Sequence, residues 1–186
     1  IGIVLQDTYI FNDSIKNNIN VANKKLTNDD IVKLCKISCL ENDIALFDDK
    51  YDHILENNGG NISGGQKQRI SIARTLIKEA EIYLFDDSFS ALDFATDRQL
   101  RTAINHSEKH KNKIKVIVAQ RIATVMSADQ ILVLENGIAA GLGTHESLAK
   151  SCPQYQETMQ SQLSDDDLVK MGVSIAHLTA RGGDDQ

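Results

Sequence analysis

The sequence has no basic excess: 20 Lys and Arg stand against 26 Asp and Glu, for a net charge of −6 at pH 7. A nucleic-acid partner requires a cationic surface to neutralise phosphates, so that class is set aside. No apolar run approaches the roughly 20 residues of a membrane-spanning helix, and no signal peptide is visible. Cysteine is scarce, with 3 in the chain. Cys35 and Cys39 lie one helical turn apart and Cys152 is remote, so no second ligand pair completes a zinc pattern. The thiols read as buried and reduced, consistent with cytosol. There is no internal repeat. The chain opens at Ile1 rather than Met, inside what reads as a strand, and is read as a fragment. Its 186 residues, 41% of them hydrophobic, bound it to one ordinary domain or part of one.

What is present concentrates in residues 61–93. Ser63-Gly64-Gly65 opens a helical run. Ser63 is a good N-cap, and the two glycines carry no side chain to block approach. The unpaired N–H groups of a helix start sit at the positive end of its dipole and bind phosphate. An ordinary Gly-rich cap looks the same, but Gln66, Lys67, Gln68 and Arg69 directly afterwards make the run far more specific. Ile70, Ala73, Leu76 and Ile77, with Ile72 widening the face, predict the helix. Residues 82–85 form a short continuous apolar run, which predicts a strand buried on both faces, as in a parallel sheet. Asp86 and Asp87 emerge at its carboxyl end, where open α/β sheets bind ligands. Two adjacent carboxylates are costly to bury without a compensating cation. A metal-bound phosphate is the natural partner, and a solvated loop start is the bland alternative. A polar loop then leads through Ser88 and Ser90 to a third carboxylate, Asp93.

In this order and spacing the residues resemble the nucleotide-binding domain of ABC transporters of the exporter type. Ile62-Ser63-Gly64-Gly65-Gln66 matches the ABC signature, residues 82–86 match Walker B, and Ser90-Ala91-Leu92-Asp93 matches the D-loop. The resemblance runs from residue 1 to about residue 162. It implies an α/β, P-loop NTPase-like (RecA-like) parallel-sheet core with an inserted helical subdomain at about residues 13–75. Residues 1–162 would be a partial nucleotide-binding domain, and 163–186 a mobile acidic tail, with a short helix allowed at 168–180. No Gly-x-x-x-x-Gly-Lys-Ser/Thr run occurs, so the N-terminal part carrying Walker A is expected to lie elsewhere. The fragment alone is expected to bind ATP weakly, to hydrolyse none and to expose apolar sheet edges.

The same resemblance implies ATP and Mg2+ as cofactors, a second nucleotide-binding domain and a transmembrane domain as partners, and a place at the cytoplasmic face of the cell membrane. Gln6, which ends the apolar run of residues 1–5, fits the Q-loop residue that reaches magnesium and the attacking water. Asp86 would hold magnesium. Asp87 stands where the family has its catalytic Glu, and Gln120 where it has the switch His. Ser63, Gly64, Gly65, Gln66 and Asp93 would touch the nucleotide held by the other domain. Residues 9–15 resemble the segment that meets the transmembrane domain. Glu56-Asn57 stands where exporters carry Gly-Glu.

Two departures fall on one nucleotide, the one held by this chain's own Walker motifs. Asp keeps the charge of Glu but is one methylene shorter. Gln donates a hydrogen bond but carries no charge near neutral pH. The signature, which serves the other nucleotide, is intact. A homodimer would place both defects in both sites; a heterodimer, or half of an asymmetric fused transporter, confines them to one. The alternatives are a soluble ABC ATPase of another class, a non-catalytic regulatory or decayed fragment and, more weakly, an importer. Residues 9–15 and the run Gly143-Thr144-His145-Glu146 favour the exporter.

The remaining chain supplies scaffolding. A helix is expected over 27–40, capped by Thr27, with Ile31, Leu34 and Cys35 inward, and a shorter one over 41–47. Residues 48–60 read as a polar loop. A helix over 94–109 should turn Ala95, Leu100 and Ile104 inward. His106 and His110, four apart, are a metal pair or a solvated face, and the Lys-rich setting favours the latter. A second buried strand is expected at 115–119, a helix at 121–128 and a strand at 131–134. Asn136-Gly137 signals a hairpin turn returning through 138–142. Thr144 caps a last helix, and His145 beside it is read as structural.

Overall fold

The computed structural model describes residues 1–21 and 25–164. The expectations for the acidic run from Asp165 onward and for a helix over 168–180 lie outside those residues. The described residues fall into two units, one up to residue 120 and one from residue 121.

The first unit opens with strand β1 (Gly2–Val4), followed by β2 (Asp13–Ser14), α1 (Ile15–Asn20), α2 (Asn28–Ile37) and α3 (Glu41–Ala45). Then come β3 (Ile54–Leu55), α4 (Gly64–Leu76), β4 (Ile82–Asp86), α5 (Phe94–His106) and β5 (Ile114–Val118). The sheet that organises it is parallel, in the order β1-β4-β5. Its register sets Val4 beside Phe85 and Phe85 beside Ile117. The α/β class with a parallel core is as the sequence predicts, and β4 and α4 fall within a residue of their expected limits.

The apolar residues of α4 (Ile70, Ile72, Ala73, Leu76) and of α5 (Leu100, Ile104) join Val4, Tyr83 and Phe85 in one core. Helix α4 lies close on β1. A Cβ on Gly2 would stand 2.9 Å from both Thr75 Cγ2 and Tyr83 Cδ1, and Thr75 Oγ1 donates to Ile3 O at 3.1 Å. The strands are not covered on both faces as expected. Along β4 Tyr83 and Phe85 are buried while Ile82 and Leu84 are only half-buried. Ile3 and Val116, the register neighbours of Leu84, are 49% and 46% exposed. Strand β5 is exposed at Ile114, Val116 and Val118 rather than buried. The continuous apolar run therefore overstates what the described residues cover: their core packs on one face of the sheet.

Thr27 caps α2 in a capping box with Asp30, and Ile31, Leu34 and Cys35 are buried as expected. The polar loop of 48–60 hides a short antiparallel pairing of β2 with β3. The buried Asn18 closes the turn before it, donating from Nδ2 to Phe11 O, Asp13 O and Ser14 O. In α5 Leu100 and Ile104 point inward, but Ala95 is exposed and Asp97 is buried instead. Asp97 is tolerated there because Arg101 donates to it at 2.6 Å. The helix ends at His106, so His110 is not on its face. His110 is 1% exposed, and its Nδ1 lies 3.0 Å from Tyr83 Oη; the solvated-face expectation fails for it. All three cysteines are free thiols. Cys35, taken out of water, is pushed up to about 12, first by burial and then by Glu41.

The second unit holds α6 (Ile122–Val125), the hairpin β6 (Ile131–Glu135) and β7 (Ile138–Gly143), α7 (His145–Ser151) and α8 (Pro153–Gln162). Asn136 and Gly137 take φ of 50° and 79°, the two left-handed positions of a type I′ hairpin. Thr144 accepts from Ser147 N and caps α7. The expected last helix is two helices, because Pro153 cannot continue α7 and starts α8 instead. The half-buried His145 places Nδ1 2.9 Å from Oη of Tyr155, which belongs to this unit's core; that bond fits the structural role expected of it. No helix among the described residues is long and apolar enough to cross a membrane.

Candidate functional site

The parallel register brings one set of sequence-selected residues to the carboxyl edge of the sheet. The last paired residues are Val4, Asp86 and Val118. Gln6 and Gln120 stand two residues beyond theirs, and Asp87 one beyond Asp86. The edge is stapled. Asp87 N–H donates to Val118 O at 3.0 Å. Ser88, fully buried, donates from Oγ to Val4 O at 3.1 Å and to Asp86 O at 3.2 Å. Asp87 itself sits at φ 46°, a left-handed conformation that Asp accepts more readily than most residues. Its carbonyl accepts from Ser90 Oγ at 2.8 Å. These bonds turn the chain sharply at the strand end and leave both carboxylates half-buried.

The second set gathers at the start of α4. Ser63 Oγ accepts from Gln66 N at 3.2 Å, and Gln66 Oε1 accepts from Ser63 N at 2.8 Å. This reciprocal box settles the N-cap. Gly65 has a local reason to be glycine: an added Cβ would stand 3.1 Å from Ala91 O and 3.3 Å from Leu92 Cδ2. Its missing side chain thus lets the helix approach the loop of residues 88–93. A Cβ added to Gly64 would meet Ala91 Cβ at an ordinary 3.6 Å. Asp93 caps α5, accepting from Thr96 N at 2.9 Å and Thr96 Oγ1 at 2.7 Å. The Thr96 amide and hydroxyl hold its carboxyl below the usual carboxylate range.

The roles of three residues at this site escaped the sequence reading. Gln68, 6% exposed, accepts from Ala91 N at 3.1 Å through Oε1. Its Nε2 lies 3.5 Å from both Asp87 O and Ser90 Oγ. It thereby ties α4 to the loop that carries Asp87 and Asp93. Asp43 of α3 accepts from Gln66 Nε2 at 2.9 Å and from Arg69 Nη2 at 2.8 Å. Arg74 donates to Asn18 O at 2.8 Å and to Tyr9 O at 3.0 Å, anchoring the segment after Gln6. Only Gln68 left a signal: three positions past Gly65, it shares a helix face with it.

A cleft of about 490 Å³ lies between these parts. Gln6, Asp7, Thr8 and Tyr9 line one side and Gly64, Lys67 and Gln68 another, with Asn58 and Ala91. Gln6 therefore opens toward the N-terminal turn of α4. Among the described residues no three His, Cys, Asp or Glu side chains form a metal cluster. The carboxyl edge of the sheet carries Asp86 at the end of β4 and Gln6 just past β1. Their side-chain oxygens are hard donors of the kind magnesium takes, with waters and phosphate oxygens for the rest of its shell.

A family model described as ABC transporter matches residues 1–90. ATP-binding cassette sub-family B member 6 of Xenopus tropicalis is 38% identical over 164 residues, covering 88% of this chain and 19% of that protein. The mitochondrial iron-sulfur clusters transporter ATM1 of Gibberella zeae is 36% identical over 162 residues, covering 87% of this chain and 23% of that protein. The solved structure of a bacterial Atm1-family ABC exporter with ATP bound matches with a TM-score of 0.81 at 34% identity, over 88% of this chain and 29% of that one. The chain thus spans roughly a fifth of the length of these two curated relatives. Motifs, sheet topology and relatives agree, and the chain belongs to the ABC transporter ATP-binding domains of the exporter type.

Proposed function

We propose that this chain serves an ABC exporter at the cytoplasmic face of a membrane, as an ATP-binding subunit with one degenerate nucleotide site. It pairs with a second, non-identical nucleotide-binding domain and couples to a transmembrane domain. The reaction is ATP plus water to ADP plus phosphate. Asp86 and Gln6 would hold magnesium, which supplies positive charge against the phosphates. Asp87 orients the attacking water from too far back, and Gln120 donates to the γ-phosphate without carrying charge. Ser63, Gly64, Gly65, Gln66 and Asp93 belong to the partner's nucleotide, where the N-terminal amides of α4 and the Ser63 hydroxyl meet the phosphates.

The observation that carries this reading is the segregation of the departures. Asp87 and Gln120 both follow the carboxyl ends of the paired strands β4 and β5, while the capped turn of α4 is complete. The test is a pre-steady-state count of ATP turnover by the full-length assembly with its native partner. One fast and one slow site per assembly is the expected result. An active homodimer of this subunit with two equally fast sites would refute it.

A further inference from the structure

Asp43 is not part of any motif that the site absorbed, yet it touches two residues of the α4 N-terminus at once. One carboxylate oxygen accepts from Gln66 Nε2 at 2.9 Å and the other from Arg69 Nη2 at 2.8 Å. The pair with Arg69 is sheltered, the two side chains being 21% and 12% exposed. Gln66 passes the restraint on, since its other end accepts from Ser63 N at 2.8 Å. A chain of bonds therefore runs from α3 through Asp43 and Gln66 to the backbone of Ser63. Both bonds to Asp43 have an ionised acceptor, the stronger kind of hydrogen bond. Arg69 Nε is buried with no hydrogen-bond partner among the described residues, so removing Asp43 would leave a sheltered cation with less compensation still.

We propose that Asp43 is a positioning residue for the nucleotide contact made by Ser63 and the first turn of α4, acting through Gln66 as a strut. The inference rests on the reading that this turn completes the partner's ATP site. It has an electrostatic rival of opposite sign. A carboxylate near an anion site repels phosphate, so if charge alone mattered, removing it would tighten ATP binding. If positioning matters, removal loosens the turn and weakens ATP binding.

The experiment measures ATP turnover against ATP concentration in the full-length assembly with its partner subunit, together with Tm. Asp43→Ala is expected to raise KM for ATP about five- to thirtyfold, the effect of one charge-assisted bond, with a smaller change in kcat. Asp43→Asn, nearly isosteric, guards against misfolding and should lie between wild type and Asp43→Ala. Gln66→Glu alone sets two carboxylates together and should also raise KM. Combined with Asp43→Asn it reverses the polarity of the bond, because the introduced amide donates to the introduced carboxylate, and KM should return toward wild type. A purely structural role would lower Tm without the KM shift or the rescue, and that result, or a fall in KM, overturns the proposal. Ser63→Arg separates the two levels. If it leaves partner-site turnover intact, the underlying reading fails and this inference with it. If it abolishes turnover while Asp43→Ala and Asp43→Asn leave KM unchanged, this inference alone fails.

Discussion

Lengthening the Asp87 side chain tests the proposed degenerate site most directly. The backbone of Asp87 has little freedom to advance. Its N–H is held by Val118 O at 3.0 Å, its carbonyl by Ser90 Oγ at 2.8 Å, and the next residue, Ser88, is bonded to Val4 O at 3.1 Å. The missing methylene, roughly 1.5 Å of reach, is therefore passed to the carboxylate in full. A misplacement of about 1 Å at a reacting group can cost on the order of a hundredfold, equivalent to about 2.7 kcal/mol of barrier. Asp87→Glu is expected to recover about ten- to a hundredfold of the hydrolysis rate at this subunit's own site. Glu accepts the φ of 46° less readily than Asp, so the variant should also lose about 1 kcal/mol of stability. The assay is single-turnover hydrolysis in the full-length assembly with the partner's catalytic carboxylate neutralised, so that only this site reports. An unchanged rate with ATP still bound would refute the argument from reach.

Two further perturbations follow from the packing. Gln68→Leu keeps the volume but takes the acceptor from Ala91 N–H; Ala91 is exposed, so water can replace it and the loss is that of one net hydrogen bond, about 0.5–1.5 kcal/mol; the Tm of the variant should fall by a few degrees, and an unchanged Tm would show that the 3.1 Å bond is not limiting. His110, buried against Tyr83, has its pKa lowered chiefly by burial, with Lys109, Lys115 and Lys113 adding to the effect and Glu79 opposing it. Above its ordinary value of 6.5 the group is neutral in both folded and unfolded chain, and its contribution is complete. As pH falls below that value the unfolded chain takes up the proton first, and stability is lost until the lowered folded pKa is passed. His110→Gln should flatten the urea midpoint against pH below 6.5 relative to wild type; part of the slope should remain, since burial lowers His145 in the same direction. A slope identical to that of wild type would sink the assignment.

The fold was legible wherever a local signal had a single structural meaning. Thr27, Ser63 and Thr144 each precede a helix and each accepts the capping bond. Asn136-Gly137 makes the hairpin turn. The reading failed where a pattern has two meanings. A run such as residues 82–85 is apolar at every position, which fits a strand covered on both faces, but composition alone does not say which residues supply the cover. Ala95 and Asp97 exchanged places for a related reason. Periodicity favours the apolar residue inside, whereas the buried position went to the one whose charge Arg101 could meet four residues later.

At the site the division is between residues that define a turn and residues that hold it. Ser63, Gly65, Asp86, Asp87 and Asp93 announce themselves because their chemistry acts at a chain position: a cap, a bare approach, a carboxylate at a strand end. Asp43, Gln68 and Ser88 act across the fold, over sequence separations of 23, 23 and 84 residues to Gln66, Ala91 and Val4. No spacing rule connects such partners, since their meeting depends on the sheet register and on how α3 and α4 pack. Their bonds also determine what the visible residues can do. With Ser88 tied to Val4, Asp87 held by Val118 and α4 tied by Gln68 to the loop of residues 88–93, neither half of the site can shift freely to absorb a substitution in the other. On the proposed reading that rigidity is what would make the departure at Asp87 consequential: in a compliant loop a shorter carboxylate could be carried forward by the backbone, whereas here Asp87 N–H and its carbonyl are both held.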